Sequence, residues 1–293
     1  MTARPPTVVS VGEVLWDVFP DGARFGGAPA NVACHAAALG ARSVMVSQVG
    51  SDQLGSEAIE ALRERGVVTD HVSVSATLPT GTVVVELDSA GKPSFSIGEN
   101  VAWDHLAWSE RLEELAVETD AVCFGTLGQR CESSRRVIEQ FVSQTPPNCL
   151  RILDVNLRPP FYADELIERS LGKANILKLS DDELERVATA CGLSGSEANL
   201  LDALTKRFSL QLIALTRGQR GATLYRDGER SDTEGVSVQV KDTVGAGDAF
   251  TARLILGMLA REPLPTINQR ACQVAAFVCG QSGATPSLPN EYR

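Results

Sequence analysis

The decapeptide Lys241–Phe250, KDTVGAGDAF, sets three small residues, Gly245, Ala246 and Gly247, directly ahead of Asp248. It begins like a dinucleotide fingerprint, but Phe250 occupies the third glycine position and the segment lies late in the chain. That fingerprint needs an early strand-turn-helix setting, so the reading turns away from a dehydrogenase. Nor does the chain contain the glycine-lysine loop that cradles phosphates in P-loop enzymes. Gly245 and Gly247 let the backbone approach a ligand closely. Successive N–H groups at a helix start form an anion nest, helped by the helix dipole. The next residues, AFTARLILGMLA, are apolar enough for a buried helix, which makes its start a rigid platform. Asp248 falls in the first turn, where the dipole favours the ionised form, as suits a general base. The same residues also describe a plain turn in which Asp248 only caps the helix.

A second glycine segment, FGGAPANVA (Phe25–Ala33), sits near the other end of the chain. Gly26 and Gly27 precede a helix whose Pro29 suits its first position. Ala30, Ala33, Ala36 and Ala37 allow close packing, and Asn31 offers a donor and an acceptor in the first turn, useful for gripping sugar hydroxyls. The alternative is an ordinary alanine-rich core helix.

Around these segments the chain alternates. TVVSVG, SVMVSQVG, DAVCFGTL, CLRILDVN, ANILKLS and LQLIALTRG have the length and β-branching of buried parallel strands. Helical periods lie between several of them. In DDELERVATAC the residues Leu184, Val187, Ala188 and Cys191 share one face, and Asp52–Arg65 stops at Gly66. This pattern predicts an α/β sheet with helices on both faces. Two stretches break it. Glu13–Phe25 is irregular or strand-like, and Thr80–Gly98 reads as a hairpin around DSAGKP. Together they predict a small sheet standing off the main domain, inserted into one domain rather than forming a second.

The 293 residues include 27 basic and 37 acidic side chains, a net charge of −10 that disfavours nucleic-acid binding. A few local donors and a metal still suffice for an anionic ligand. Seven cysteines without a C-x-x-C pair read as buried free thiols of a reducing compartment. With neither a signal-like segment nor an apolar run near the roughly 18 residues a membrane span needs, a soluble cytoplasmic protein with no membrane partner is expected.

The two glycine segments resemble the paired signatures of the ribokinase-like (PfkB) sugar kinases, most closely the bacterial fructokinases. GEVLWD, LKLSDDE and LTRGQRGATLY are similar to three further landmarks of that family, in order and over nearly the whole chain. The resemblance implies one ribokinase-like α/β kinase domain over residues 1–293, with a lid from about 13–25 and 80–98. It implies a sugar held by Asp17, Gly26, Gly27, Asn31, Phe95 and Arg158. ATP is expected at Lys178, Thr216, Gly218, Gly221 and the helical stretch around Ala275 and Phe277. Its γ-phosphate is then expected over Gly245–Gly247, with Asp248 as the base and Mg2+ organised through water by Glu183. Family members also imply K+ activation and a homodimer through the lid, neither of which a residue pattern here decides.

Fructose is the first expected acceptor. A 2-keto-3-deoxygluconate kinase is the second, because Arg158 in LDVNLRPPFY suits a carboxylate. An Arg158–Asp154 salt bridge is the structural alternative. Ribose remains open, as does a nucleoside stacked on Phe95, Trp103 or Trp108. A non-catalytic sugar-binding member would have no use for an intact Asp248. Two departures stand out: Ser180 replaces a usual Asn, with Asp181 or Asp182 able to compensate, and Arg253 replaces a small residue.

Overall fold

The computed structural model describes residues 4–87 and 93–292, with the side chains of 86, 87 and 93–95 outside that description. The chain opens with β1 (Thr7–Val11), β2 (Leu15–Phe19), β3 (Gly22–Gly26), α1 (Ala28–Ala38) and β4 (Arg42–Gly50). There follow α2 (Gln53–Glu64), β5 (Val68–Ser75), β6 (Gly81–Leu87), β7 (Pro93–Ile97), α3 (Glu110–Val117) and β8 (Ala121–Gly125). The middle holds α4 (Glu132–Gln144), β9 (Leu150–Asp154), α5 (Asp164–Leu171), β10 (Ile176–Ser180), α6 (Asp181–Ala190) and α7 (Glu197–Phe208). The last elements are β11 (Leu212–Thr216), β12 (Ala222–Arg226), β13 (Glu229–Thr233), α8 (Ala246–Leu259) and α9 (Leu264–Cys279).

All six predicted strands enter one nine-stranded sheet, ordered β13-β12-β11-β10-β9-β8-β1-β4-β5. The run from β11 to β5 is parallel, and β12 and β13 close one edge antiparallel. The sequence reading missed β5, β12 and β13. Only two of the eight β5 residues are buried and β13 is ERSDT, so neither shows a buried apolar run.

Alternate side chains of each strand point to opposite faces, which splits the core in two. Val9, Val11, Leu153, Ile213 and Leu215 pack with Phe141, Ile167 and Leu201 of α4, α5 and α7. Val8, Ile152, Leu212 and Ala214 pack with Val32, Phe250, Ile255 and Ile267 of α1, α8 and α9. Helix α8 is apolar around most of its circumference, and α1 lies against it, with Val32 and Ala36 in the same core cluster and Ala30 and Ala33 turned to the cluster of Met45 and Leu62. The seven cysteines are free, five of them buried.

The second sheet, β3-β2-β6-β7, is separate and has four strands, as the lid segments predict. Two contacts fix its base. Trp16 Nε1 donates to Leu54 O at 2.9 Å, and its ring meets Phe25 edge-on at 5.7 Å. Asp52, the N-cap of α2, accepts from Gly55 N at 2.8 Å, Thr80 N at 2.8 Å and Thr80 Oγ1 at 2.6 Å. One carboxylate therefore caps a helix and anchors the start of β6. Partial burial works to raise its pKa, but the bonds from Thr80 and Gly55 outweigh it and hold the group below the usual aspartate range.

Asp52→Ala should cost about 1–2 kcal/mol, the worth of a helix cap, in urea unfolding at pH 7. Because the folded-state pKa is depressed, that difference should be full above the ordinary aspartate range and fade as pH falls through the lowered value.

Candidate active site

The strand order reverses between β1 and β8, and α/β sheets open a crevice at the carboxyl ends of strands flanking such a point. The chain places its polar residues there. Glu13 follows β1, Thr126 follows β8, Asp154 ends β9, Ser180 ends β10 and Thr216 ends β11. Helices α1 and α8 point their N-termini at the same place.

Gly27, the residue before α1, has φ +105°, and a Cβ on it would meet Glu13 O at 2.6 Å. Gly26 lies as close to Asp17, whose Oδ2 would be 2.7 Å from a Cβ there. In the first turn Asn31 Nδ2 donates to Asp248 Oδ2 at 2.8 Å, joining the two glycine segments. Asn31 Oδ1 is buried without a partner among the described residues. Gly245, at φ +81°, is the N-cap of α8, and a Cβ there would lie 2.1 Å from Ala284 O. No other residue fits. The first amides of α8 have no intrahelical acceptor, which leaves donors at this end for an anion.

Asp248 is 9% exposed. Burial first, and the charge of Asp154 second, push its pKa up to about 7, against the bond from Asn31 and the charges of Lys178 and Arg158. This corrects the expectation that the helix dipole keeps it readily ionised: desolvation is the larger effect. Burial likewise lifts Glu13 to about 7, countered by main-chain amides and Arg158, and raises Asp17, countered by Arg158 and Arg24. The Arg158 charge thus acts on all three carboxyl groups, and Asp248 also acts on Glu13.

Arg158 itself is exposed, its Nη1 donating to Leu157 O at 3.1 Å. The buried Arg158–Asp154 bridge considered from sequence is therefore replaced by another pair. Lys178 Nζ donates to Asp154 Oδ1 at 2.9 Å, and Thr251 Oγ1 donates to Asp154 Oδ2 at 2.9 Å. A Cβ on Gly247 would come within 3.2 Å of Lys178 Nζ, so this amine lies directly under the nest. Burial opposes its charge, but Asp154 prevails and raises the Lys178 pKa.

On the other side of the nest is a cavity of about 690 Å³, lined by Thr216, Gly218, Gly221, Ala246, Gly247 and Ala275 among others. The volume suits a nucleotide. Its apolar wall also includes Val236, Val238 and Val240, which the sequence reading did not single out. Phe277 does not line this cavity and instead packs on Tyr292 at 5.5 Å. Glu183 Oε1 accepts from Leu157 N at 2.7 Å, and Oε2 accepts from Ser180 N at 2.8 Å and Ser180 Oγ at 3.0 Å. Ser180 thus contributes a capping hydroxyl, while Asp181 is engaged by Arg220. Among the described residues no group of three or more His, Cys, Asp or Glu is placed to hold a metal. The Glu183 carboxylate, held by Leu157 and Ser180, is of the oxygen-donor type that suits the waters of a magnesium ion.

The model of the pfkB family of carbohydrate kinases matches residues 12–291. The chain belongs to that family. Fructokinase of Salmonella typhimurium is 30% identical over 89% of this chain and 88% of its own. A sugar kinase of Pyrococcus horikoshii in complex with ATP superposes with a TM-score of 0.82 at 29% identity, covering 96% of this chain and 95% of that one. Fructokinase of Vibrio cholerae O395, with fructose, ADP and calcium bound, gives 0.81 at 25% identity over 97% and 96%. The protein is an ATP-dependent sugar kinase with a ribokinase-like fold, and no helix among the described residues is long and apolar enough to cross a membrane.

Other sequence expectations change in this setting. Trp103 is buried under the Arg130 guanidinium, 4.1 Å from its ring centroid, and Trp108 packs on the main core, so neither offers a stacking face for a base. The side chain of Phe95 lies outside the described residues. Arg253 is buried and donates to Glu262 Oε1 and Oε2 at 2.9 and 2.8 Å, tying α8 to the turn before α9. Glu13 was read only as the start of the lid. A carboxylate directly after a fully buried strand was the available signal.

A buried carboxyl whose pKa is raised makes the folded state bind extra protons between about pH 4 and 7, so stability falls as pH rises through that window. Asp248→Asn should therefore be more stable than wild type at pH 8 by about 2–4 kcal/mol, with the gain shrinking toward pH 4. Urea unfolding at the two pH values measures this.

Proposed function

We propose that this kinase transfers the γ-phosphate of ATP to the primary hydroxyl of D-fructose, giving fructose 6-phosphate, with Asp248 as general base. The observation that carries the reading is the buried Asp248, oriented by Asn31 and set beside the α8 nest. A carboxyl with a pKa near 7 takes up a hydroxyl proton well at neutral pH. Asp17, Gly26, Gly27, Asn31 and Arg158 border the sugar, and Phe95 is assigned with them from sequence. Asn31 Oδ1 is free to accept a hydroxyl proton. Thr216, Gly218, Gly221 and Ala275 hold the nucleotide, and the amides from Gly245 to Gly247 face the phosphoryl group. Lys178 adds positive charge beneath them.

In the step itself Asp248 removes the proton as the sugar oxygen bonds to the γ-phosphorus and the bond to ADP breaks. Donors already fixed at the helix start stabilise the charge on the phosphoryl oxygens. Glu183 would help hold a magnesium ion through water, and that ion would further neutralise the charge. Closure of the small sheet excludes water as a competing acceptor. The reading includes a cytoplasmic location. K+ dependence and pairing through the lid are proposed from family likeness alone.

A second reading, an acidic acceptor of the 2-keto-3-deoxygluconate type, is favoured by one observation. Arg158 is exposed, has no carboxylate partner among the described residues, and its charge acts on Glu13, Asp17 and Asp248.

ADP release measured with fructose, 2-keto-3-deoxygluconate, ribose and adenosine should be fastest with fructose. Release no faster than the ATPase background with every acceptor would refute a sugar kinase role. Asp248→Ala should lower kcat by about 10²–10⁴-fold. Arg158→Ala should leave fructose turnover within a few-fold, whereas a large loss confined to the keto-acid would favour the second reading.

A further inference from the structure

Helix α1 reaches the nest at two points, and the proposed chemistry uses only one of them. Asn31 holds Asp248. One turn further along the same face, His35 is 1% exposed and its Nε2 lies 2.9 Å from Ala284 O. A carbonyl only accepts, so the ring carries its proton on Nε2 and donates. Burial pushes the His35 pKa down to about 4, so the ring stays neutral at working pH. Ala284 O is the atom that a Cβ on Gly245 would strike at 2.1 Å. The carbonyl held by His35 is thus the back wall of the tightest point in the nest.

A second tether secures the same segment. Arg65 Nε donates to Thr285 Oγ1 at 2.9 Å, and Asp242 Oδ2 accepts from Gly283 N at 3.1 Å. Segment 283–285 is therefore tied to α1, to the end of α2 and to the loop before α8, and among the described residues His35 is the side chain that holds the carbonyl beside Gly245.

We propose that His35 is a positioning residue: by holding Ala284 O against Gly245 it sets the geometry of the phosphate-binding amides at the start of α8. Asn31 and His35, four residues apart on one rigid helix, then align the base and the nest with each other. Loss of the His35 bond leaves Ala284 O without this donor and lets segment 283–285 shift, which moves the amides relative to Asp248. Neither His35 nor segment 283–285 is among the residues assigned to the sugar above, so ground-state sugar contacts are expected to be kept. Because geometry in phosphoryl transfer is spent in the transition state, the loss falls on kcat.

This inference rests on the kinase reading above, and wild-type ADP release serves as its control: inactive wild type refutes that reading, not this one. His35→Leu and His35→Gln are compared with wild type for kcat, sugar KM and urea midpoint. The Gln amide can donate to Ala284 O. The expected result is a kcat drop of about tenfold or more in His35→Leu with sugar KM within about twofold, and recovery of most of the rate in His35→Gln. Equal kcat in all three proteins overturns the proposal. So does a drop of the same size in both variants, since a general packing defect gives no rescue by a donor.

Discussion

A single hydrogen bond, 2.8 Å from Asn31 to Asp248, joins residues 217 apart in sequence. It couples the start of α1 to the start of α8, and each helix start is itself set by a glycine with positive φ. The rest of the molecule can be understood as the scaffold this contact requires. Parallel strands bring Glu13 and Asp154 to one edge, and two helices pack side by side on one face of the sheet. If α1 and α8 slid apart by an ångström, the base and the anion nest would no longer belong to one site.

The scaffold also carries a cost. Asp248 and Glu13 are buried carboxyl groups with pKa values raised to about 7, so ionising them works against folding. Asp154 raises Asp248 further, yet is itself neutralised by Lys178 and bonded by Thr251. The arrangement keeps negative charge from accumulating where phosphate must arrive. It leaves Asp248 as the carboxyl held at the helix start by an uncharged amide. Buried polar networks persist where function needs them, and the apolar packing on both sheet faces supplies the stability they consume.

Much of this was legible in the sequence because the signals are local. Six buried strands show as apolar runs, and the starts of α1 and α8 show as glycines followed by helix-forming residues. A small separate sheet was visible in the strand-like stretches 13–25 and 80–98, while residues 88–92 of the DSAGKP turn expected within the second lie outside the described residues. What sequence could not supply was register. Asp154 and Lys178 are direct neighbours across β9 and β10, but nothing in either segment says so, and Arg158 was the nearer cation along the chain. The direction of the Asp248 pKa failed for a related reason, since the helix dipole is local while burial depends on the whole fold. Edge strand β13 carries polar residues, and β12 beside it was read as part of a nucleotide loop, so both stayed hidden. Arg253 looked anomalous until Glu262, beyond the end of its own helix, proved to be its partner.

The central claim is that Asp248 is the base and that Asn31 tunes it. The most direct test is the pH dependence of kcat/KM for ADP release in wild type and Asn31→Ala. Wild type should show an acidic limb with a midpoint about pH 7, activity rising as Asp248 loses its proton. Removing the Asn31 bond, which lowers that pKa, should move the limb to higher pH. A wild-type limb near the ordinary aspartate range, or one that does not move in Asn31→Ala, would contradict the account.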